Sequence, residues 1–452
     1  MIFSDLTFLF RFFPLFFLCY LLCPKDKRNW IIVAGSLVFY SFGGPLYNVL
    51  LLALSGVFNH YGVLYMAKPE TSAERKKQCF IALLAYNLGI LLVFKYVGVL
   101  VKGAPGLPLG ISFYTFQILS YVFDVYRGAV EPAESLLTTA TYLTLFPRLA
   151  MGPIIRYPDQ KSELLERPLR RLDRDRGLSL FLVGLGYKVL LADRLATMWT
   201  SLQTIGFENL PTWLAWMGAI GYSLQLYFDF HGYSLMAVGL GQMLGFHFPQ
   251  NFNLPYLSRS VSEFWRRWHI TLGAWFRDYV YIPLGGSRGD TKLTLRNLFI
   301  VWLLTGLWHG SGLNFILWGL VLFAFIAVEK LWLGAWLAEH PVISHVYLVV
   351  VMPLTWVIFA CGSLGNVGLY FSRLFPFFGG VGVIPKGLLS RYLIRYLPFL
   401  IAGVFFCLPF FKTWFEAHRD RLPCRLLLFA VFWVCIYLIA IGGDNPFLYF
   451  SF

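Results

Sequence analysis

The sequence predicts an all-α fold, a polytopic membrane helical bundle, and three observations carry that prediction. Hydrophobic residues make up 58% of the 452-residue chain and charged residues only 13%, with a mean hydropathy of +0.65. Soluble domains run at roughly 45–50% apolar and about 25% charged. The apolar residues gather into long continuous runs, which favours helices over the alternating strands of a closed barrel. Lys and Arg cluster in short connections between those runs, as expected of loops that face the cytoplasm. The formal charge of +14 is therefore read as loops facing anionic lipid, and nucleic acid is not an expected partner. Seven cysteines with no CxxC pair read as small apolar core residues, so neither a metal site nor a disulfide framework is expected.

Apolar runs at 6–23, 30–42, 46–66, 79–101 and 108–126 are long enough, or nearly so, to cross roughly 30 Å of hydrocarbon. The first lacks a basic leader and a small-residue cleavage site, so it is expected to be a retained helix. Basic connections at 24–29 and 68–78 lie two runs apart and hence on one side. The positive-inside rule makes that side the cytoplasm and puts the amino terminus outside. The run 137–151 leads into FPRLAMGPIIRY (146–157), whose arginine and two prolines suit a partial or re-entrant segment lining protein. Residues 156–176 are densely charged and belong in water or at the headgroups. Further runs at 177–192, 211–230, 232–248, 298–308, 313–333, 344–361, 395–411 and 425–442 bring the total to roughly eleven to thirteen membrane segments, some short. With no fixed-period repeat and no long linker, residues 1–452 are expected to form a single integral-membrane domain.

In so apolar a chain two imidazoles stand out, both between Glu263 and Asn314. Val261, Phe264, Trp265, Trp268, Leu272, Trp275, Phe276 and Tyr279 recur at three- and four-residue spacing, while Glu263, Arg266, Arg267, Arg277 and Asp278 take the other face. That pattern predicts an amphipathic helix over 261–280, lying along the interface or docked across the bundle. His269 falls at the edge of its apolar face, where spacing alone leaves it either a boundary side chain or a site residue. Arg266 and its neighbours meet either lipid phosphates or a ligand. The segment IPLGGSRGD (282–290) breaks the helix, and without a P-loop or dinucleotide fingerprint it reads as a turn rather than a phosphate loop.

Eleven apolar residues, 298–308, then carry a helix about 16 Å, roughly half the hydrocarbon, to His309. Gly310, Ser311 and Gly312 follow at once. An ionisable group at a mid-depth break is tolerated only inside protein or beside a wet cavity, which marks a functional site. The alternative is a histidine satisfied by Asn314 or Thr305. Gln225, Asp229 and His231 cluster late in another apolar run. A carboxylate there needs a partner, so Asp229 either orients a catalytic imidazole or pairs with an arginine to fix the bundle.

The motifs FWRRWHITL (264–272), WFRDYVYIPLGGSR (275–288), GLWHG (306–310), LNFILWG (313–319), QLYFDFHGYSLMAVGLGQMLGF (225–246), NFNLPY (251–256), FPRLAMGPIIRY and NPFLYFSF (445–452) resemble the membrane-bound O-acyltransferase family, in particular its bacterial alginate O-acetyltransferase-like branch. The resemblance covers nearly the whole chain. It implies a central tunnel, a catalytic His309, and a His269 that is also required. Two departures are visible: His231 stands where FDFSGYS is usual, and FPRLAMGP replaces FPQLIAGP.

On this resemblance His309 acts as general base on a hydroxyl, because a low-dielectric tunnel disfavours the charged imidazole. His269 hydrogen-bonds the acyl carbonyl or positions the acceptor, and Trp268 and Trp308 shape the tunnel. Asn314, Asp229, Gln225 and Arg266 complete the expected lining or binding set. No bound cofactor is expected. The donor is expected to be acetyl-CoA or another acyl thioester from the cytoplasm. Expected partners are a periplasmic acetyltransferase and polysaccharide secretion machinery, at the bacterial inner membrane. Three other readings remain open: D-alanyl transfer to teichoic acid; a transporter or flippase for lipid-linked sugar, which shares the broken helix; and a non-catalytic scaffold for a polysaccharide synthase, for which the histidines would be dispensable.

Overall fold

The structure, a computed structural model, describes residues 1–97, 101, 106–375, 377 and 387–442. Every regular element among the described residues is a helix. Six of them are long and apolar enough to cross a membrane: Leu46–Ala67, Ala73–Val97, Leu313–Glu339, Pro341–Ala360, Leu388–Cys407 and Leu422–Gly442, with Phe8–Leu22 a shorter apolar helix. The NPFLYFSF motif at 445–452 lies outside the described residues.

The runs 211–230 and 232–248, expected as separate segments, form one 32-residue helix, Thr212–Met243. Gly232 does not break it, because there the glycine serves packing: a Cβ would lie 2.7 Å from the Gly184 carbonyl oxygen and 3.2 Å from the Lys188 backbone nitrogen.

The described chain falls into two compact units, one built chiefly from Met1–Leu182 and Tyr233–Gln250, the other chiefly from Val183–Gly232 and Asn251–Leu438. In the first, Phe146 is ringed by Phe8, Phe12, Phe16 and Phe39 at centroid distances of 5.2–6.2 Å. Asn59 and Asn87 exchange side-chain amide hydrogen bonds of 3.1 and 2.7 Å, a pairing that satisfies both amides inside apolar helices. The run 137–151 forms two short helices, Leu136–Thr144 and Phe146–Leu149. Arg148 in the second of them is buried, and its guanidinium donates to the Tyr142 and Ile155 carbonyls. Arg167, in a stretch expected to lie in water or at the headgroups, is also buried. Its Nε donates to the Tyr20 hydroxyl at 2.9 Å and its guanidinium sits 4.6 Å over Phe246. An arginine leaves water when its fork finds acceptors and its plane an aromatic face.

In the second unit, helices Thr291–His309 and Leu313–Val328 form a tight hairpin. A Cβ at Gly306 would lie 2.6 Å from the Phe315 carbonyl oxygen, and one at Gly319 2.5 Å from that of Trp302. Only glycine permits backbones to approach this closely, the packing device of membrane helices.

Candidate active site

The amphipathic helix expected over 261–280 is broken at its centre. Helix Val261–Arg267 ends at Trp268, which is extended at φ −104°, and His269 takes the left-handed conformation at φ 45° before helix Ile270–Phe276 begins. The break is held from outside the segment. Asn253 N–H donates to the Arg267 carbonyl and Ile270 N–H to the Asn251 carbonyl, each at 2.9 Å. The Asn251 side-chain oxygen accepts from Thr271 N–H at 3.2 Å and the Thr271 hydroxyl at 3.0 Å, and meets His269 Nδ1 at 3.2 Å. Helical periodicity carries no trace of these long-range partners, so it continued the helix through the break.

His269 therefore rides no helix edge. It is buried, with 2% of its surface exposed, and packs edge-on against Phe230 at 4.7 Å. It lies outside the six spanning helices, and burial pushes its imidazole down to about 3, so the ring is neutral at any working pH.

His309 is the last residue of helix Thr291–His309, and Gly310 stands at the break before Leu313, as the sequence anticipates. The helix is longer than the apolar run, because Asp290 caps it at Leu293 N–H, 2.7 Å away. The His309 ring meets Trp308 at 4.7 Å, Trp318 at 5.0 Å and Phe359 at 5.2 Å. The two residues considered as its satisfying partners donate elsewhere: Asn314 Nδ2 to the Ile358 and Phe359 carbonyls and the Thr305 hydroxyl to the Val301 carbonyl. Trp308 also contacts His269, at 6.4 Å, so one tryptophan ring neighbours both histidines.

A cavity of about 930 Å³ opens beside this segment, lined among others by Trp265, Trp268, His269, Trp302 and Thr305. Arg259, Arg266, Arg277 and Lys330 also border it, against the acidic Glu263 and Glu329. Ligand pockets commonly enclose roughly 300–1,000 Å³. Trp308, His309 and Asn314 are not among its lining residues. Asp229 pairs with lysine rather than arginine: Lys188 Nζ lies 2.7 Å from Asp229 and 2.8 Å from Asp193, and both Lys188 and Asp229 are buried. Gln225 is buried as well, and its Oε1 has no hydrogen-bond partner among the described residues.

Two functional supports escaped sequence reasoning. Asn251 is one, although it opens the NFNLPY motif. The other is Glu329, buried within an apolar run, whose carboxylate accepts from Val261 N–H at 2.6 Å, Ser262 N–H at 2.9 Å and the Ser262 hydroxyl at 2.6 Å. It caps the helix that carries Trp265 and ends at Trp268, where a negative charge suits the helix dipole. A lone carboxylate in the run 313–333 was the available signal.

The model of the membrane-bound O-acyltransferase family matches residues 129–371, a range that contains both histidines and the cavity. The chain belongs to this family. It is 39% identical to a Pseudomonas aeruginosa protein named probable alginate O-acetylase, over 79% of this chain and 69% of that relative. A Helicobacter pylori peptidoglycan O-acetyltransferase is 33% identical over 71% of this chain and 69% of its own length. A Bacillus subtilis teichoic acid D-alanyltransferase is 31% identical over 47% of this chain and 56% of its own. As a membrane-bound O-acyltransferase with six apolar helices of spanning length, the protein is an acyl-transfer enzyme that crosses its membrane several times.

Proposed function

We propose that this O-acyltransferase moves an acetyl group from a thioester donor to a hydroxyl, for O-acetylation of an exopolysaccharide such as alginate, at the bacterial inner membrane. The observation that carries the reading is the meeting of His269 and His309, forty positions apart, on the single ring of Trp308. Acetyl transfer and the polymer class are favoured by the likeness to the alginate O-acetylase relative, which is higher in identity and broader in coverage than that to the D-alanyltransferase.

Acyl transfer to a hydroxyl needs a base for the hydroxyl proton and a site for the acyl group. In this reading the His309 imidazole takes the proton as the hydroxyl oxygen attacks the thioester carbonyl. The C–S bond then breaks, and the leaving thiolate recovers the proton from the imidazolium. His269 hydrogen-bonds the acyl carbonyl or the acceptor. Trp268 and Trp308 shape the surroundings, while Asn314, Gln225 and Asp229 serve as supporting residues. Arg266, exposed on the cavity with Arg259 and Arg277, suits the phosphates of acetyl-CoA or a similar donor reaching it from the cytoplasm. The acceptor side suits a periplasmic acetyltransferase working with secretion machinery.

The test is His309→Ala in the producing cell, with acetyl content of the secreted polymer measured by mass analysis. Acetylation should disappear while the protein level stays unchanged, and retained acetylation overturns the assignment.

A further inference from the structure

Asn251 settles a choice that the proposed function leaves open, namely whether His269 faces the substrate as a hydrogen-bond donor or as an acceptor. The Asn251 side-chain oxygen receives three groups. One is a backbone amide, Thr271 N–H, at 3.2 Å. A backbone amide can only donate, so the Asn251 atom facing it is the carbonyl oxygen and the amide orientation is fixed. That same oxygen lies 3.2 Å from His269 Nδ1. An oxygen cannot donate, so Nδ1 must carry the proton. In a neutral imidazole the other nitrogen, Nε2, then holds a lone pair. Packing leaves the ring little freedom to turn away, because it is buried and stands edge-on against Phe230 at 4.7 Å.

We propose that Asn251 is a positioning residue that holds His269 as its Nδ1–H tautomer, so that Nε2 accepts a hydrogen bond from an uncharged O–H or N–H of the substrates and cannot donate one to the acyl carbonyl. The inference rests on the acyl-transfer reading above and narrows it: polarisation of the carbonyl falls to other groups, and His269 orients a substrate donor. Asn251 itself is buried, and its Nδ2 makes no hydrogen bond among the described residues. Asn251→Asp therefore keeps every contact named here and adds only a negative charge. The charged groups bordering the cavity that His269 lines are Arg259, Glu263, Arg266, Arg277, Glu329 and Lys330.

The experiment has two arms on the full-length protein. In the first, solid-state NMR of ¹⁵N-histidine-labelled wild type is compared with His269→Gln to isolate the His269 signals. A protonated Nδ1 with an unprotonated Nε2 is expected, and the reverse tautomer overturns the proposal. In the second, acetyl transfer by Asn251→Asp is followed against pH. The carboxylate beside Nδ1 favours the imidazolium, which has no lone pair at Nε2, so kcat should fall on the acid side at a higher pH than it does in wild type. A folded Asn251→Asp whose pH profile superimposes on wild type overturns the proposal. If wild type transfers acetyl groups and His309→Ala does not, such a result counts against the role of Asn251 alone. If wild type transfers none, the acyl-transfer reading fails instead, and the NMR arm still decides the tautomer.

Discussion

Replacing Gly319 with alanine tests whether the hairpin that ends in His309 depends on backbone contact. The added methyl would lie 2.5 Å from the Trp302 carbonyl oxygen and 3.4 Å from Gly306 Cα. Ordinary van der Waals contact begins near 3.4 Å, so the two helices must part by about 1 Å at that level. A gap of 0.5–1 Å forfeits roughly a quarter to a half of each dispersion contact along the seam, and overpacking of this kind costs about 1–3 kcal/mol. The displacement falls where it matters for chemistry: Trp318, the residue before Gly319, packs on His309 at 5.0 Å, and Gly306 stands one helical turn before His309. A misplacement of about 1 Å can lower a catalysed rate roughly 100-fold. Gly319→Ala should therefore lower both the thermal midpoint of the detergent-solubilised protein and the acetyl-transfer rate. The matched control is Gly368→Ala in helix Leu364–Leu374, where a Cβ meets nothing within 4 Å. There helix propensity favours alanine by about 1 kcal/mol, so stability should hold or rise. A Gly319→Ala protein with wild-type rate and midpoint, or equal losses in the two variants, refutes the reasoning.

Two further substitutions probe the supports of the site. Glu329→Ala leaves the Val261 amide buried without its acceptor, which should cost about 1–3 kcal/mol of stability, and Glu329→Gln should restore part of it. Loss of acetyl transfer should follow the loss of the cap, since the capped helix carries Trp265 and ends at Trp268. Lys188→Met removes the cation that lies 2.7 and 2.8 Å from two aspartates and should destabilise by about 3–5 kcal/mol. Adding Asp193→Asn and Asp229→Asn to that variant should recover most of the loss. A Lys188→Met midpoint equal to wild type would mean the ion cluster is dispensable.

The break at His309 was legible in the sequence because it is local: an apolar run, an imidazole, then Gly310-Ser311-Gly312 need no distant partner to be read. The break at His269 was not, because its causes lie upstream, in Asn251 eighteen residues away and in Asn253. Apolar positions spaced for one helix persist on both sides, so the pattern is correct for each half and wrong for the whole. The same limit applies to Asp229. Its need for a cation follows from burial cost alone, yet the choice of Lys188, forty-one residues away, is fixed by tertiary packing. Arg167 shows the opposite error, since a dense run of charge reads as solvated until Tyr20 and Phe246 are seen to receive one of its members.

The two histidines are held by different means, and the difference bears on what each can do. His309 closes a helix whose backbone is pressed against its partner at Gly306 and Gly319, so its position follows from the rigid hairpin. His269 occupies a left-handed conformation that costs an ordinary residue about 1–2 kcal/mol, and such strain persists only where the surroundings over-determine it. Here two asparagines supply that constraint, Asn253 through its N–H to the Arg267 carbonyl, and Asn251 through its carbonyl to Ile270 N–H and its side chain to Thr271 and His269. A continuous helix through 268–269 would remove the strain, but it would also give up the Ile270 and Thr271 bonds to Asn251 and turn the imidazole away from the oxygen that fixes its tautomer. The strain is therefore coupled to the orientation of the ring, and a variant that relaxes it should gain backbone comfort while losing the chemistry.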